Sequence, residues 1–507
     1  MSKKNKTKVS KPEIKKVGMR KEELEEKHAL YKVNIEEWQL YELAYNGGRP
    51  FIEYCLHRYS TKESLKNWAE RQNDGFVFNY AKTIVDLFNY YLTETDTSRQ
   101  LGGLEDDEQW KMFSKDADLM NSDFVNLIDE TQKLSSASGS IGILVNKPGG
   151  IFKNVQDEID SGAYPYVALY SLPNIYDWKI ERNSRTHRPI LTYLKLREED
   201  GSYLLWWPNK WEHWELDKKT NTPKLRGEST NPIGEIPFIW MPNVKRVKHS
   251  YLGVSDIVDI SRIVSSIVRN LSCGEEVIKM AGFPMLRVPM EDGSSPEEGD
   301  DDKQEEVGVR AVHQFDPNYG DAAKPDWMPT EIAEPIEAIL SWIDRKQNEI
   351  FRIAHLSGVA GQRTSNEAQS GLALRYNFRQ LFSVLSKKSD NMVEAEYQII
   401  RLWLKWQNKT ELFQKIKISR SKEFSIDDLA VALDNAFTSM RNMASKTFRV
   451  KLQMKVASMM LPDLTDDERQ KIENETNSKT PEEIPLLADN FHNETGGGAK
   501  VRPADQA

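Results

Sequence analysis

The chain has 507 residues, which at ~150 residues per domain allows three or four domains or one elongated subunit. Apolar residues make up 39%, charged residues 29% and aromatic residues 10%: too aromatic for a disordered chain, too polar for a membrane protein. A net charge of −9 argues against a uniformly basic nucleic-acid binder but not against a local DNA-facing surface. Two cysteines, Cys55 and Cys273, cannot build a disulfide framework and suit a reducing compartment.

Residues 1–25 form a basic tail, in which Lys3, Lys4, Lys6, Lys8, Lys11, Lys15, Lys16, Arg20 and Lys21 outnumber Glu13 and Glu22 up to residue 22. A like-charged tail stays solvated; it either touches anionic nucleic acid or serves as a solubilising end. It lacks the apolar core of a secretory signal, and nothing in the chain approaches the ~18 apolar residues of a membrane helix.

From 34 to 135 the periodicity is helical. Ser60-Thr61-Lys62-Glu63 has capping-box spacing and predicts a helix starting there. Ile84, Leu87, Phe88 and Tyr91 predict a second helix over 80–92, residues 95–108 read as a loop, and a third helix is expected over 110–134. From 141 to 242 the period changes to two, with strands expected at 141–145, 166–170, 190–196, 203–207 and 211–216. Asp200-Gly201 is a hairpin signal. Trp206, Trp207, Trp211 and Trp214 crowd this region; they suit either a sugar-stacking platform or cross-strand packing, and alternation around a turn favours packing.

A long helix is expected over 254–281, with Ser255 as its cap and Asp256 in its positive first turn. Its stripe is broad: Ile257, Ile260, Val264, Ile267, Val268 and Leu271. An insertion over 283–330 opens and closes with short strands around an acidic run from Glu291 to Glu306, read as a solvated loop without EF-hand spacing. A helix over 334–356 follows, with Pro335 in its first turn. Residues 357–363 are a Gly-bearing segment. Thr364-Ser365-Asn366-Glu367 then has capping-box spacing before a helix expected over 365–408. One strand near 414–419, helices over 426–476 and a polar tail complete the chain.

Catalytic signatures are missing. There is no phosphate-binding Gly-rich loop with Lys and Ser/Thr, no His-Glu-x-x-His and no Gly-x-Ser-x-Gly, and neither Cys has a close Cys partner. The Ser-rich stretch 135–140 reads as a small-residue turn into a strand. No metal or cofactor is expected. A dispersed carboxylate site stays open as a nuclease alternative.

The order of elements, together with several local phrases, resembles the portal, or head-to-tail connector, proteins of tailed double-stranded DNA bacteriophages. The phrases are Tyr170-Ser171-Leu172-Pro173-Asn174-Ile175-Tyr176-Asp177-Trp178, Gly234-Glu235-Ile236-Pro237-Phe238, Gly253-Val254-Ser255-Asp256-Ile257, Ala281-Gly282-Phe283-Pro284 and Ser370-Gly371-Leu372-Ala373-Leu374. The resemblance spans roughly 30–480 in order. It implies an α+β, mainly helical fold with long helices and a small mixed sheet. In that scheme 1–25 is a basic disordered tail, 26–252 the wing, 253–281 the first stem helix and 282–333 the clip with its acidic loop. The second stem helix is 334–356, the tunnel loop 357–364, the long wing helix with a return strand 365–424, the crown 425–480, and 481–507 a disordered tail. It further implies a non-enzymatic homo-oligomeric ring, usually of twelve subunits, at one capsid vertex of the virion, assembled in the host cytoplasm. Double-stranded DNA passes through the ring during packaging and ejection. Implied partners are the terminase large subunit, the major capsid protein and head-completion or tail adaptor proteins, with no membrane.

On this scheme Gln362, Arg363 and Thr364 are expected to meet DNA in the tunnel loop, Arg363 alternatively fixing the loop to a neighbouring helix. Lys279, Arg345, Lys346 and Arg352 on the stem either line the channel or are solvated outer-face charges. The apolar stripes of the two stem helices are expected to lack partners within one chain and to find them on adjacent copies. Competing readings are a nucleic-acid-processing enzyme and a virion scaffold or adaptor that does not bind DNA.

Overall fold

A computed structural model describes residues 19–94, 97–148, 155–282, 286–289, 312–315, 326–327, 333–356, 371–420, 422, 471, 472 and 474. The chain divides into two compact units, Met1–Phe424 and Ser425–Ala507. The expected tunnel loop, acidic clip run, N-terminal lysines and nearly all of the expected crown lie outside the described residues.

The first unit starts with α1 (Lys21–Glu25), α2 (Ala29–Asn46), α3 (Gly48–Cys55), α4 (Leu65–Asp74) and α5 (Tyr80–Thr93). His28 caps α2 by accepting from the Leu30 N–H, and its ring stacks on Trp178 at 4.0 Å. The helix expected from Ser60 begins at Leu65 instead. Ser64 is the cap, accepting from the Asn67 N–H at 3.1 Å. Glu63, expected to close a capping box, accepts from the Tyr59 N–H and pairs with Arg71, because a buried guanidinium competes for it more strongly than a helix end.

Strand β1 (Thr97–Gln100) stands where a loop was expected; its partner, β13, comes from the far end of the sequence, so no local signal could reveal it. The helix expected over 110–134 is two, α6 (Glu108–Lys115) and α7 (Phe124–Ser138). Between them Asp118 caps a loop by accepting from the Met120 and Ser122 N–H groups, and Leu119 and Asn121 adopt positive φ. Asp123 then caps α7.

The expected strands form, as β2 (Ser140–Asn146), β3 (Tyr166–Ser171), β5 (Pro189–Arg197), β6 (Tyr203–Trp207) and β7 (Lys210–Leu216), with α8 (Val155–Asp160) between β2 and β3. Three more complete the region: β4 (Ile175–Arg182), β8 (Pro223–Thr230) and β9 (Phe238–Pro242). They build an antiparallel sheet of order β3-β2-β9 and a five-stranded antiparallel meander β4-β5-β6-β7-β8. Trp206 is fully buried and pairs directly across from Trp211, ring centroids 6.0 Å apart, so these tryptophans do pack across strands.

Helix α9 runs Ile260–Gly282, six residues later than expected, with the Ser255 hydroxyl supporting the preceding turn at the Ile257 N–H. Three short strands follow, β10 (Leu286–Pro289), β11 (Val312–Phe315) and β12 (Asp326–Trp327). In their sheet β10 is central, parallel to β11 and antiparallel to β12. Helix α10 (Ala333–Ile353) lies where a helix was expected, α11 (Gly371–Trp406) is the longest helix among the described residues, and β13 (Lys417–Arg420) returns to β1. At 1.5 Å per residue the 36 residues of α11 extend about 54 Å. The fold is thus α+β, and the single small mixed sheet of expectation is four sheets among the described residues, of which only β10–β12 is mixed.

One continuous core joins these parts. Leu381, Leu385, Met392, Ala395, Ile399 and Trp403 of α11 are buried in it, Trp403 edge-on to Trp110 at 5.1 Å. The proximal half of the α9 stripe is buried there too: Ile260, Val264, Ile267 and Val268 are 0–1% exposed against α2, α3 and α5. The expectation that both stem stripes lack partners within one chain therefore fails for this half, where the N-terminal helices supply the cover, and for Ile343 and Ile350 of α10, which are buried within the same chain.

Candidate functional site

Helices α9 and α10 pack side by side in opposite directions. Lys346 donates to the Ser266 hydroxyl at 2.7 Å, while Ile339 lies over Gly274 further along. The 50 residues between the two helices, 283–332, contain the β10–β12 sheet, so the sheet sits in sequence at the turn of a helical hairpin.

The root of the hairpin is a buried polar cluster. Helix α7 ends at Gly139 with φ +92, and there its carbonyl passes so near Gly253 that a Cβ on Gly253 would lie 2.1 Å from it. This approach places the end of α7 against the segment that leads to α9. The Asp256 N–H donates to Ser136 O at 3.0 Å, and Ser136 Oγ donates to the Asp256 carboxylate. The carboxylate also accepts from Asn243 Nδ2 at 2.9 Å and from the ammonium of Lys388 on α11. Lys388 is fully buried and 3.2 Å from Ser136 Oγ. Burial pushes its pKa down and Asp256 offsets only part of that. Three elements distant in sequence (α7, the lead into α9 and α11) are thereby locked at one point.

A second brace lies further out. Arg71 of α4, only 3% exposed, forks onto Glu63 at 2.6 and 3.0 Å and donates to Ser272 of α9 at 3.2 Å. Its guanidinium lies 3.7 Å from the centroid of the Tyr59 ring, whose hydroxyl is 3.3 Å from Cys273 Sγ. Beyond it, Lys279 pairs with Asp74 at 2.6 Å. Burial lowers the Lys279 pKa, but Asp74 and Glu276 together outweigh it and the net shift is upward.

The four expected stem cations are thus differently placed. Lys279 and Lys346 are engaged inside the protomer, and burial, then Arg269, lowers the pKa of Lys346. Arg352 is exposed and pairs with Glu349 on its own helix. Arg345 is exposed with no hydrogen bond or ion pair among the described residues. Gln362, Arg363 and Thr364 lie outside the described residues. Among the described residues no group of three or more His, Cys, Asp or Glu is placed to hold a metal ion, and no helix is long and apolar enough to cross a membrane.

The distal half of the hairpin exposes three large apolar side chains. Ile278, Leu340 and Trp342 are 53%, 55% and 52% exposed. Leu340 and Trp342 are two residues apart, hence about 200° apart around the helix. The buried Ile343 and Ile350 mark the seam with α9 between them, so one large apolar side chain flanks each side of the hairpin.

Lys388, Asp256, Arg71 and Glu63 were not singled out for these roles from sequence. One signal was legible: Lys388 occupies a stripe position of α11, between Leu385 and Met392 at helical steps. A cation at a core position needs a buried anion.

No family model matches the chain, and no curated protein matches it. Among solved structures, the chain is similar to one in the neck of an empty GTA particle computed with C6 symmetry. That match has 12% identity and a TM-score of 0.40, covering 74% of this chain and 89% of the other. It is also similar to a chain of the virion of a native gene transfer agent particle, at 11% identity, TM-score 0.40 and the same coverages. A third is in the neck of a native GTA particle computed with C12 symmetry, at 10% identity and TM-score 0.40, covering 73% of this chain and 89% of that one.

Proposed function

We propose that the chain is the portal subunit of a tailed double-stranded DNA phage or phage-like particle: a non-enzymatic ring at one capsid vertex through which the genome is packaged and released. The observation that carries this reading is the α9–α10 hairpin. It is rooted rigidly in the body, bears the β10–β12 sheet between its helices, and has an exposed apolar side chain on each flank. A closed ring of identical subunits uses heterologous contacts, in which each copy presents two different surfaces, and Leu340 and Trp342 supply one apolar group for each. The acidic chain suits a passage for duplex DNA, because each tight Lys or Arg contact to phosphate adds affinity and holds the polymer still. Lys279 and Lys346 are neutralised or engaged within the protomer in line with that need.

In this reading 282–333 is the clip that receives the terminase large subunit and later head-completion or tail adaptor proteins, and the outer body meets the major capsid protein. Gln362, Arg363 and Thr364 contact the DNA backbone transiently, and Arg345 is the stem cation free to do so. Electron microscopy of the purified full chain tests the reading. Annular particles with a central hole wide enough for duplex DNA are expected; uniform monomers or compact dimers across micromolar concentrations would overturn it.

A further inference from the structure

Strand β3 is an edge strand of its sheet. Val145 donates its N–H towards Pro237, on the β9 side of β2, so by alternation Tyr166, Ala168 and Tyr170 bond to β2 while Val167, Leu169 and Ser171 turn their N–H and C=O groups outward. The Val167 N–H is taken by Ala117 O at 2.8 Å. The Leu169 N–H and C=O have no partner among the described residues.

This edge lines a groove of about 960 Å³ between α7 and the five-stranded sheet. Its floor is apolar, with Leu127, Leu144, Leu204 and Trp211. Its rim is acidic: Asp118, Glu130, Glu198, Glu199 and Asp200 stand against Arg197 and His213. Asp118 and Asp200 are engaged in their own turns, Asp200 also pairs with Arg226, and Glu198 accepts from the Tyr170 hydroxyl. Glu199 is exposed with no partner among the described residues.

A strand edge open at Leu169 over an apolar floor accepts one more strand, and an acidic rim selects a basic one. The chain carries a segment of that kind. Residues 1–18 hold seven lysines against the single Glu13, and Lys6-Thr7-Lys8-Val9 alternates charged with β-branched side chains, the period of a strand with one face on an apolar surface and one on carboxylates. Met19 lines, with Lys195 and Trp207, a second hollow on the other face of the five-stranded sheet. Val9 lies ten residues before Met19, and ten extended residues reach up to about 35 Å, more than the width of about 24 Å of five strands.

We infer that the Lys-rich N-terminal segment of this chain wraps around the meander and adds a strand to β3, seating Thr7 and Val9 on the groove floor and its lysines on the rim. The contact is independent of the ring reading, since it is made within one subunit.

Amide hydrogen exchange on the full chain tests it. Compared with a chain lacking residues 2–18, the full chain should exchange the Leu169 amide at least ~10-fold more slowly. The difference should shrink as salt rises. Full-length chain with Lys6, Lys8 and Lys11 changed to Glu, and a Glu130→Lys, Glu199→Lys chain, should each lose that protection while the central strands β2 and β6 keep theirs. A synthetic peptide of residues 1–18 added to the truncated chain should restore it. Equal Leu169 exchange in full and truncated chains overturns the proposal. So does protection that grows with protein concentration, which would place the tail on a second copy, or a peptide that binds duplex DNA but not the truncated chain.

Discussion

Removing the Asp256 carboxylate isolates one determinant of the stem's attachment. Lys388 is completely buried and the Asp256 side chain is 8% exposed. In Asp256→Ala the ammonium is left in the core without its counter-charge, which costs about 3–5 kcal/mol. Lys388→Met strands the carboxylate instead and should lose a similar amount. The double variant strands no charge, and the methionine fills much of the lysine volume, so it should be more stable than either single, a coupling of about 3 kcal/mol or more. Guanidinium unfolding followed by tryptophan fluorescence measures all four chains. The pH dependence has a definite sign. Burial depresses the folded-state pKa of Lys388 below the ordinary 10.5, so between that depressed value and 10.5 the unfolded chain binds more protons and stability rises with pH. Without Asp256 the depression deepens, so Asp256→Ala should recover part of its deficit between pH 7 and 10 while the double variant does not. Additive single effects with a pH-independent deficit would refute the claim that these two groups hold α11 to the stem.

Arg71→Ala leaves Glu63 buried without its fork partner and removes the cover from Tyr59; a loss of about 3–5 kcal/mol is expected in the same assay. Arg71→Lys should recover little of it, because an ammonium cannot form the bidentate pair. Leu340→Glu and Trp342→Glu change half-exposed positions, so each should alter the stability of the protomer by only ~0.5 kcal/mol. If each side chain serves a different flank of a ring, either change alone should abolish large assemblies in analytical ultracentrifugation. The Asp200 carboxyl is held down to about 2, first by the Ser202 hydroxyl, then by the Ser202 N–H and by Arg226. It should stay ionised in NMR titrations until the pH falls towards 2, with its contribution to stability present above its ordinary 3.8 and lost on acidification. Ser202→Ala should move the titration back towards 3.8.

Where side chains repeat with a clear period, the elements were readable in advance. The stripe Ile84 to Tyr91, the long helix before residue 408, the alternation in 203–216 and the Asp200-Gly201 turn all appear as expected in kind. Boundaries were misread where a side chain had two local uses. Ser60 and Glu63 had the spacing of a cap, but Arg71 claims the carboxylate, and Ser64 takes over as cap. The break between α6 and α7 rests on Asp118 and on positive φ at Leu119 and Asn121, which helical periodicity does not register.

The chain's own order of residues determines its α+β character, the long helices α9, α10 and α11 and the three central strands of the meander, because those depend on patterns within a few residues; its outer strands β4 and β8 were not foreseen. Only the tertiary structure decides that β1 pairs with β13 across more than 300 positions, that Lys388 meets Asp256, and that the first half of the α9 stripe is covered by α2, α3 and α5 rather than left for a neighbour. Each of these joins groups far apart in sequence. Their partners are chosen by burial and charge compensation in three dimensions, which local spacing does not encode.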